Sequence, residues 1–307
     1  MKKLVDTRRS FVKKVGGVAL GSILLPGIGC SNKIQQNTGV SSNFNLGTGP
    51  SLKKFGIQLY TLRDVIGDNP KETLRQLASF GFKQIEGYEG NQGIYWGMPH
   101  KEFKKYINDL GMEMVSSHCN IFENFEQKAA HAAEAGLEYL ICPSIGPQKS
   151  VSEWKKVTDK FNACGEICRK NGIRFAYHNH AYSFVPFSGM IPQKFMMENT
   201  NPEIVDHQMD IYWVVTAGAD PISYFKEFPG RFRLCHVKDR KKGVDADERS
   251  ASCNLGTGMI DYPAILKSAA QHGMKYFIME QERYDESTPM DAARIGAIYL
   301  KNLKFAT

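Results

Sequence analysis

From residue 55 onward, short apolar runs alternate with amphipathic stretches in which hydrophobic residues recur at helical spacing. Glycines such as Gly81 and Gly136 follow the amphipathic stretches, as is typical of helix C-termini. The runs that we predict to be strands cover residues 55–61, 84–88, 113–118, 139–145, 174–180, 205–213, 232–239 and 275–282. Eight strands alternating with helices over about 250 residues predict an α/β fold, a (β/α)8 TIM barrel, as a single domain at residues 55–307.

Several of these runs end in side chains that bind metals or transfer protons. His178 and His180 lie two residues apart at the end of the fifth run, so both would point to the same face of a strand. The next three runs end with Asp210, His236 and Glu280. Because all strand ends of such a barrel meet at one rim, His178, Asp210, His236 and Glu280 are expected to converge. Two imidazoles and two carboxylates predict a site for one divalent metal ion.

The other strand ends supply polar and aromatic side chains for substrate binding or proton transfer. These candidates are Gln58, Tyr60, Glu86, His118, His180, Trp213, Lys238 and Glu282. For Glu86 and His118 the alternative is an ordinary surface loop position. Lys238 either neutralises an oxyanion or pairs with Asp239. His180 either contacts the substrate or supports a metal ligand.

Five motifs, in order along the chain, resemble the signature series of the xylose isomerase-like sugar phosphate isomerase/epimerase superfamily. They are His178-Asn179-His180, Asp210-Ile211-Tyr212-Trp213, His236-Val237-Lys238-Asp239, Gly256-Thr257-Gly258 with Asp261, and Met279-Glu280-Gln281. The resemblance covers nearly all of residues 56–303. It implies one metal ion held by strands five to eight, at His178, Asp210, His236 and Glu280. Manganese, cobalt or zinc suits this ligand set better than magnesium.

Two positions depart from the keto-sugar epimerases of that superfamily. The resemblance implies a glutamate on the fifth strand, which works with the strand-eight glutamate on opposite faces of the substrate, but this chain has His178. Trp213 stands where those epimerases have a substrate-contacting histidine. A flat indole favours stacking on a sugar ring.

The function that we predict is a metal-dependent sugar isomerase or epimerase. A proton next to a metal-polarised carbonyl would be abstracted to give an enediolate, with Glu280, His178 and Glu86 as candidate catalytic residues. One alternative is a metal-dependent lyase that eliminates the leaving group of a 3-keto-glycoside, which His178 and Trp213 favour. A further alternative is a non-catalytic sugar-binding lipoprotein. In each case the partner is a small sugar or glycoside, and the oligomeric state stays open.

Residues 1–30 have the pattern of an export signal. Arg8 and Arg9 precede a Gly-rich apolar segment, as in twin-arginine signals, and the residues ending at Cys30 resemble a lipoprotein cleavage box. We therefore predict an exported, periplasmic protein that is lipidated at Cys30, with soluble release as the alternative. Membrane contact is expected only through that lipid. Residues 31–54, rich in Ser, Asn and Gly, are predicted to be a flexible tether.

The net charge of +7 belongs mostly to the predicted signal. Residues 1–30 contain six basic residues and one acidic residue, which leaves 33 basic and 31 acidic residues in the rest of the chain. No stripe of Lys and Arg with interleaved aromatic residues remains there. We therefore expect no nucleic-acid partner.

Overall fold

The computed structural model describes residues 44–285 and 287–305. Its main strands are β1 Gly56–Gln58, β2 Gln84–Tyr88, β3 Glu113–His118, β4 Tyr139–Cys142, β5 Arg174–His178, β6 Val205–Asp210, β7 Phe232–Val237 and, after the short strands β8 Asp239–Arg240 and β9 Ser252–Cys253, β10 Tyr276–Met279. The eight main strands form a closed parallel barrel in which β10 pairs with both β7 and β1. β8 and β9 form a separate antiparallel pair above the barrel strands. The predicted (β/α)8 barrel is confirmed.

Helices connect the strands and surround the barrel. They are α1 Pro70–Phe80, α2 His100–Asp109, α3 Phe125–Ala135, α4 Val151–Lys170, α5 Pro192–Glu198, α6 Ile211–Thr216, α7 Pro221–Glu227, α8 Tyr262–Gln271 and α9 Pro289–Asn302. Short 3₁₀ helices occupy Leu59–Leu62 and Ala181–Phe184. Gly81 and Gly136 end α1 and α3 with φ angles of 107° and 86°, a backbone conformation that costs glycine little.

Six of the eight main strands are shorter than the runs that predicted them, and β5 and β6 show the reason. β6 stops at Asp210 because the Asp210 carboxylate accepts a hydrogen bond from the Trp213 backbone N–H at 3.1 Å and so begins α6. Trp213 therefore lies on a helix. β5 stops at His178, and His180 precedes the 3₁₀ helix instead of continuing the strand.

The barrel interior is divided into layers of different polarity. Seven buried apolar side chains fill its centre, and they are Val115, Tyr139, Ile141, Ala176, Leu234, Tyr276 and Ile278. Toward the N-terminal ends of the strands, Arg174 and Asp206 form an ion pair, with Nη2 and Oδ1 3.0 Å apart. The apolar layer separates this pair from the polar residues at the opposite rim.

Part of the predicted tether packs against the barrel domain. Phe44 meets Tyr299 edge to face, with ring centroids 5.7 Å apart, and the Lys304 N–H donates to Leu46 O at 2.7 Å. Within the predicted tether, Phe44, Leu46 and Leu52 are partly buried against the hydrophobic core. The rest of the tether, the signal and Cys30 lie outside the described residues. Within residues 44–285 and 287–305, no helix is both long and apolar enough to cross a membrane.

Candidate metal centre and active-site cleft

Four predicted ligands converge at the C-terminal rim of the barrel. His178 and Asp210 end β5 and β6, His236 lies in β7, and Glu280 follows β10 directly. Asp210 Oδ2 lies 3.8 Å from His178 Nε2 and 3.7 Å from His236 Nδ1. His236 Nδ1 also lies 3.2 Å from Glu280 Oε2. The ends of neighbouring parallel strands thus place two imidazole nitrogens and two carboxylate oxygens around one point.

Three of these residues, Asp210, His236 and Glu280, offer ligand atoms that all lie within 4.8 Å of one another, and His178 Nε2 adjoins them at Asp210 Oδ2. Two ligand atoms at about 2.1 Å from one tetrahedral ion are about 3.4 Å apart, and the three measured separations bracket that value. Asp210 Oδ2 is buried and has no hydrogen-bond partner among the described residues. Its charge is compensated by Lys238 Nζ at 3.2 Å, and its lone pairs remain available to a cation. The donor set therefore fits a divalent metal ion.

Lys238 brings a positive charge into the same cluster. Its Nζ atom lies 3.2 Å from Asp210 Oδ2, 3.0 Å from Glu280 Oε2 and 3.1 Å from Glu282 Oε2. Burial would lower the pKa of Lys238, but these three carboxylates raise it well above the ordinary value for lysine. Burial would likewise raise the pKa of Glu280, yet Lys238 and His236 hold it well below its usual range. Lys238 and Glu280 therefore form a charged pair.

Glu86 lies beneath the metal ligands, fully buried in the barrel. Its Oε1 atom accepts hydrogen bonds from Gln58 Nε2, at 2.8 Å, and from His236 Nε2. Its Oε2 atom accepts from Ser116 Oγ and Gln208 Nε2, both at 2.6 Å. Burial alone would raise the pKa of Glu86, but the nearby imidazoles of His118 and His236, together with these hydrogen bonds, lower it to about 2. Glu86 is therefore a carboxylate whose oxygens are occupied by protein donors.

Gln208 is a polar residue of this site that the sequence analysis did not single out. Its Oε1 atom lies 2.7 Å from His118 Nε2 and 3.0 Å from His178 Nδ1. The available signal was the alternation along β6, in which Asp206, Gln208 and Asp210 are two residues apart and share the interior face.

A cleft of about 700 Å³ opens above these residues. Six of the predicted site residues line it, namely Tyr60, His118, His178, His180, Glu280 and Glu282. The Glu282 side chain is 32% exposed. Burial raises the pKa of Glu282 above its ordinary value, although Lys238 acts in the opposite direction.

The remaining candidates lie behind the cleft wall. Gln58 and Lys238 are fully buried, as is Glu86, so their positions do not favour direct substrate contact in this conformation. The Trp213 ring packs against the His180 ring, with centroids 5.4 Å apart, and over Lys238 Nζ at 5.1 Å. Trp213 thus supports residues that face the cleft. Burial, with Lys238 nearby, lowers the pKa of His180 to about 4.

Comparisons with known proteins agree with this architecture. The family model described as "Xylose isomerase-like TIM barrel" matches residues 74–303. The chain is 21% identical over 273 residues to inosose dehydratase from Geobacillus kaustophilus, which covers 76% of this chain and 86% of that protein. Several other matched inosose dehydratases align over about half of their length.

Solved structures show the same fold. A sugar phosphate isomerase/epimerase from Parabacteroides distasonis superposes with a TM-score of 0.71 at 26% identity, covering 86% of this chain and 99% of that chain. A structure of the IOLI protein with a zinc atom superposes with a TM-score of 0.67 at 16% identity, covering 80% of this chain and 96% of that one. The second likeness concerns the fold alone.

Proposed function

This chain belongs to the xylose isomerase-like TIM barrel family, and from that premise we propose that it is a metal-dependent lyase acting on keto-sugar glycosides. The family and the relatives indicate a sugar-modifying enzyme. The similarity to a dehydratase supports elimination chemistry, because dehydration is the elimination of water. The predicted export signal would place the substrate in the periplasm.

The distribution of carboxylates around the cleft carries this proposal. Glu280 and Glu282 both follow β10, with Lys238 between them. At the opposite position on β5 stands His178, which faces the metal ligands and Gln208. An epimerase that moves protons on both faces of its substrate needs acid/base groups on both sides. With His178 instead of a carboxylate on β5, the site suits an elimination in which one group removes a proton and returns it to the leaving group.

The four converging ligands, His178, Asp210, His236 and Glu280, would hold the metal ion. A divalent ion bound there would polarise a substrate carbonyl and make the neighbouring C–H more acidic. The partly exposed Glu282 is the carboxylate placed to exchange protons with the substrate, and Lys238 keeps it in position at 3.1 Å. Tyr60 and His118 line the cleft where they can contact the sugar.

The proposed reaction on a 3-keto-glycoside balances without a further reactant. Glu282 takes the C2 proton, the electron pair of the C2–H bond forms the C1–C2 double bond, and the C1–O bond breaks. The departing oxygen receives the proton from Glu282. The products are an unsaturated keto-sugar and the free alcohol of the glycoside.

The test uses the full chain supplied in turn with Mn²⁺, Co²⁺ and Zn²⁺ in D₂O. A 3-keto-glycoside and free keto-sugars are added separately, and the products are followed by NMR. We expect metal-dependent release of the aglycone that Glu282→Gln abolishes. Glu89→Gln is the matched control, because Glu89 also lines the cleft but is held by Lys128 at 2.8 Å. Aglycone release that persists in Glu282→Gln would contradict the assigned role.

The second candidate function is a sugar isomerase or epimerase. The likeness to the Parabacteroides distasonis protein across 99% of its chain favours it. In the same experiment, deuterium entering a free sugar without aglycone release would support this reading and reject the lyase. Sugar binding that survives metal removal, with neither reaction, would support a binding protein.

A further inference from the structure

The buried carboxylate of Glu86 is connected to both histidine ligands, to His236 directly and to His178 through Gln208. Glu86 accepts hydrogen bonds from the side-chain amides of Gln58 and Gln208, one at each of its oxygens. Because a carboxylate has no proton to donate, the atom of Gln208 that lies 2.6 Å from Glu86 Oε2 has to be the amide nitrogen. The contact with Glu86 thus determines which way the Gln208 amide faces.

The orientation of Gln208 then determines where His178 carries its proton. The amide oxygen of Gln208 can only accept, so His178 Nδ1, at 3.0 Å, has to be the protonated nitrogen. His118 Nε2, at 2.7 Å from the same oxygen, has to donate as well. The other nitrogen of His178, Nε2, faces Asp210 Oδ2 at 3.8 Å. This nitrogen therefore keeps a free lone pair on the side of the metal ligands.

Glu86 contacts the second histidine ligand, His236, directly. His236 Nε2 donates its proton to Glu86 Oε1. His236 Nδ1 points the other way and donates to Glu280 Oε2 at 3.2 Å, with Asp210 Oδ2 at 3.7 Å, so in the metal-free protein this ring carries a proton on both nitrogens, and a metal ion would replace the one on Nδ1. The two rings therefore use different nitrogens, Nε2 of His178 and Nδ1 of His236, toward the same point.

We propose that Glu86 is a positioning residue that assigns the protons of both imidazole ligands, of His236 directly and of His178 through the amide of Gln208. The proposal rests on the metal site of the proposed function. It replaces the proton-transfer role predicted for Glu86 with one that its complete burial permits. A partner that holds the outer nitrogen of a ligating histidine fixes the ring and strengthens metal binding.

The first measurement needs no variant and no metal. Protein labelled with ¹⁵N in its histidines is examined by long-range ¹H–¹⁵N NMR, which distinguishes the two tautomers. We expect His178 to be neutral with its proton on Nδ1, and His236 to carry a proton on Nε2. A proton on Nε2 of His178 in the wild type would overturn the proposal.

Glu86→Gln tests the causal chain. The amide introduced at position 86 presents its own NH₂ group, so Gln208 is expected to turn its amide over and direct nitrogen at the imidazoles. His178 then has to accept at Nδ1 and carry its proton on Nε2, facing Asp210. We expect the affinity for Mn²⁺ and Zn²⁺, measured by calorimetric titration, to fall by about 10- to 100-fold.

Two further variants separate this role from a general loss of structure. The double substitution Glu86→Gln/Gln208→Glu moves the carboxylate next to the imidazoles, so it should return the His178 proton to Nδ1 and recover part of the metal affinity. Asp206→Asn removes a buried carboxylate at the other end of β6, where it binds Arg174. This control should leave the tautomers and metal affinity unchanged. An unchanged His178 tautomer in Glu86→Gln, or an equal loss of affinity in Asp206→Asn, would refute the proposal.

The same data distinguish this proposal from the proposed function. If the wild type shows the expected tautomers and takes up neither Mn²⁺ nor Zn²⁺, the metal site fails while the proton assignment stands. If the metals bind and Glu86→Gln changes neither tautomer nor affinity, the metal site stands and the role of Glu86 is rejected.

Discussion

The Nζ atom of Lys238 lies 3.0 Å from Glu280 Oε2, so a fixed positive charge neutralises a carboxylate that is also a proposed metal ligand. Lys238 Nζ contacts Asp210 Oδ2 as well, at 3.2 Å. An ammonium group and a divalent ion would thus share the same two oxygens. This arrangement keeps the carboxylates charged and in place before a metal arrives, and it reduces the affinity gained when one binds.

Replacing Lys238 should separate these two effects. In metal-free protein, we expect Lys238→Met to lower the free energy of unfolding by about 3–5 kcal/mol, because buried carboxylates lose their partner. Mn²⁺ should then stabilise the variant more than the wild type. Urea unfolding with and without Mn²⁺ measures both quantities. Lys194→Met, which breaks an exposed pair with Glu227, is the control and should cost about 1 kcal/mol or less. Equal stabilisation of both proteins by Mn²⁺ would contradict the idea that Lys238 and the metal ion bind the same carboxylate oxygens.

The metal itself should raise the thermal stability of the wild type. A ligand that binds only the folded state at 100 times its Kd contributes about 2.7 kcal/mol. We expect Mn²⁺, Co²⁺ and Zn²⁺ to raise Tm with concentration, and Asp210→Asn to remove the effect. Asp159→Asn, on the exposed face of α4, should retain it. An unchanged Tm in the presence of each of the three ions would contradict the predicted metal centre.

The sequence predicted the barrel and the convergence of the metal ligands for a simple physical reason. Buried parallel strands are continuous apolar runs, and residues such as Asp210 and His236 interrupt or end these runs at the rim where strand ends meet. Both features are local, so they can be read from the chain. How deeply a side chain is buried depends on the folded barrel and cannot be read from its neighbours in the sequence. Glu86 and Gln58 lie at strand ends in the sequence, yet neither has any exposed surface, and Glu86 contacts the ligand His236 from within the barrel.

Helix starts and long-range packing explain the other differences between the predicted and the observed structure. Trp213 continues an apolar run in the sequence. The side chain of Asp210, three residues earlier, caps the helix that contains Trp213. Residues 31–54 are predicted to be a tether because they are rich in Ser, Asn and Gly, yet residues 44–52 are packed against the barrel domain. Their order depends on Phe44 and Leu46, which meet partners more than 200 positions away in the chain.

Asp239 should be essential for the loop above the β7 end. Its Oδ2 atom accepts from the backbone N–H groups of Gly256 and Gly258, at 3.0 and 2.9 Å, and its Oδ1 atom accepts from Arg240 and Ile260. Asp239→Asn would turn an NH₂ group toward one of these donors. We expect a loss of about 1.5–3 kcal/mol in the free energy of unfolding. Urea unfolding measures it, with the exposed Asp68→Asn as a control that should stay near the wild type.

A substitution at Gly258 should damage the same loop by a different route. A Cβ atom at this position would lie 2.1 Å from Asp239 Oδ1, so the carboxylate or the loop has to move. We expect Gly258→Ala to destabilise the protein and, combined with Asp239→Asn, to cost less than the sum of the two single changes. Full additivity in urea unfolding would show that the two residues act independently.

His207 should make the protein sensitive to mild acid. Its ring is fully buried, Nδ1 meets Gln193 Nε2 at 3.1 Å, and Nε2 has no partner in the described part of the chain. Burial, with the charge of Arg231 adding to it, lowers the pKa of His207 well below its ordinary value. The unfolded chain titrates near 6.5. Between these two values the unfolded state binds more protons than the folded state, so stability falls as pH drops below about 6.5.

The test compares the slope of stability against pH in two variants. One proton corresponds to about 1.4 kcal/mol per pH unit, and His207→Gln should remove this contribution from urea unfolding curves between pH 5 and 6. Buried His118 and His178, whose pKa values burial also lowers, contribute with the same sign in both proteins and cancel in the difference. Gln193→Leu keeps the imidazole and should keep the slope. Parallel curves for the wild type and His207→Gln would mean that the buried ring does not control acid sensitivity.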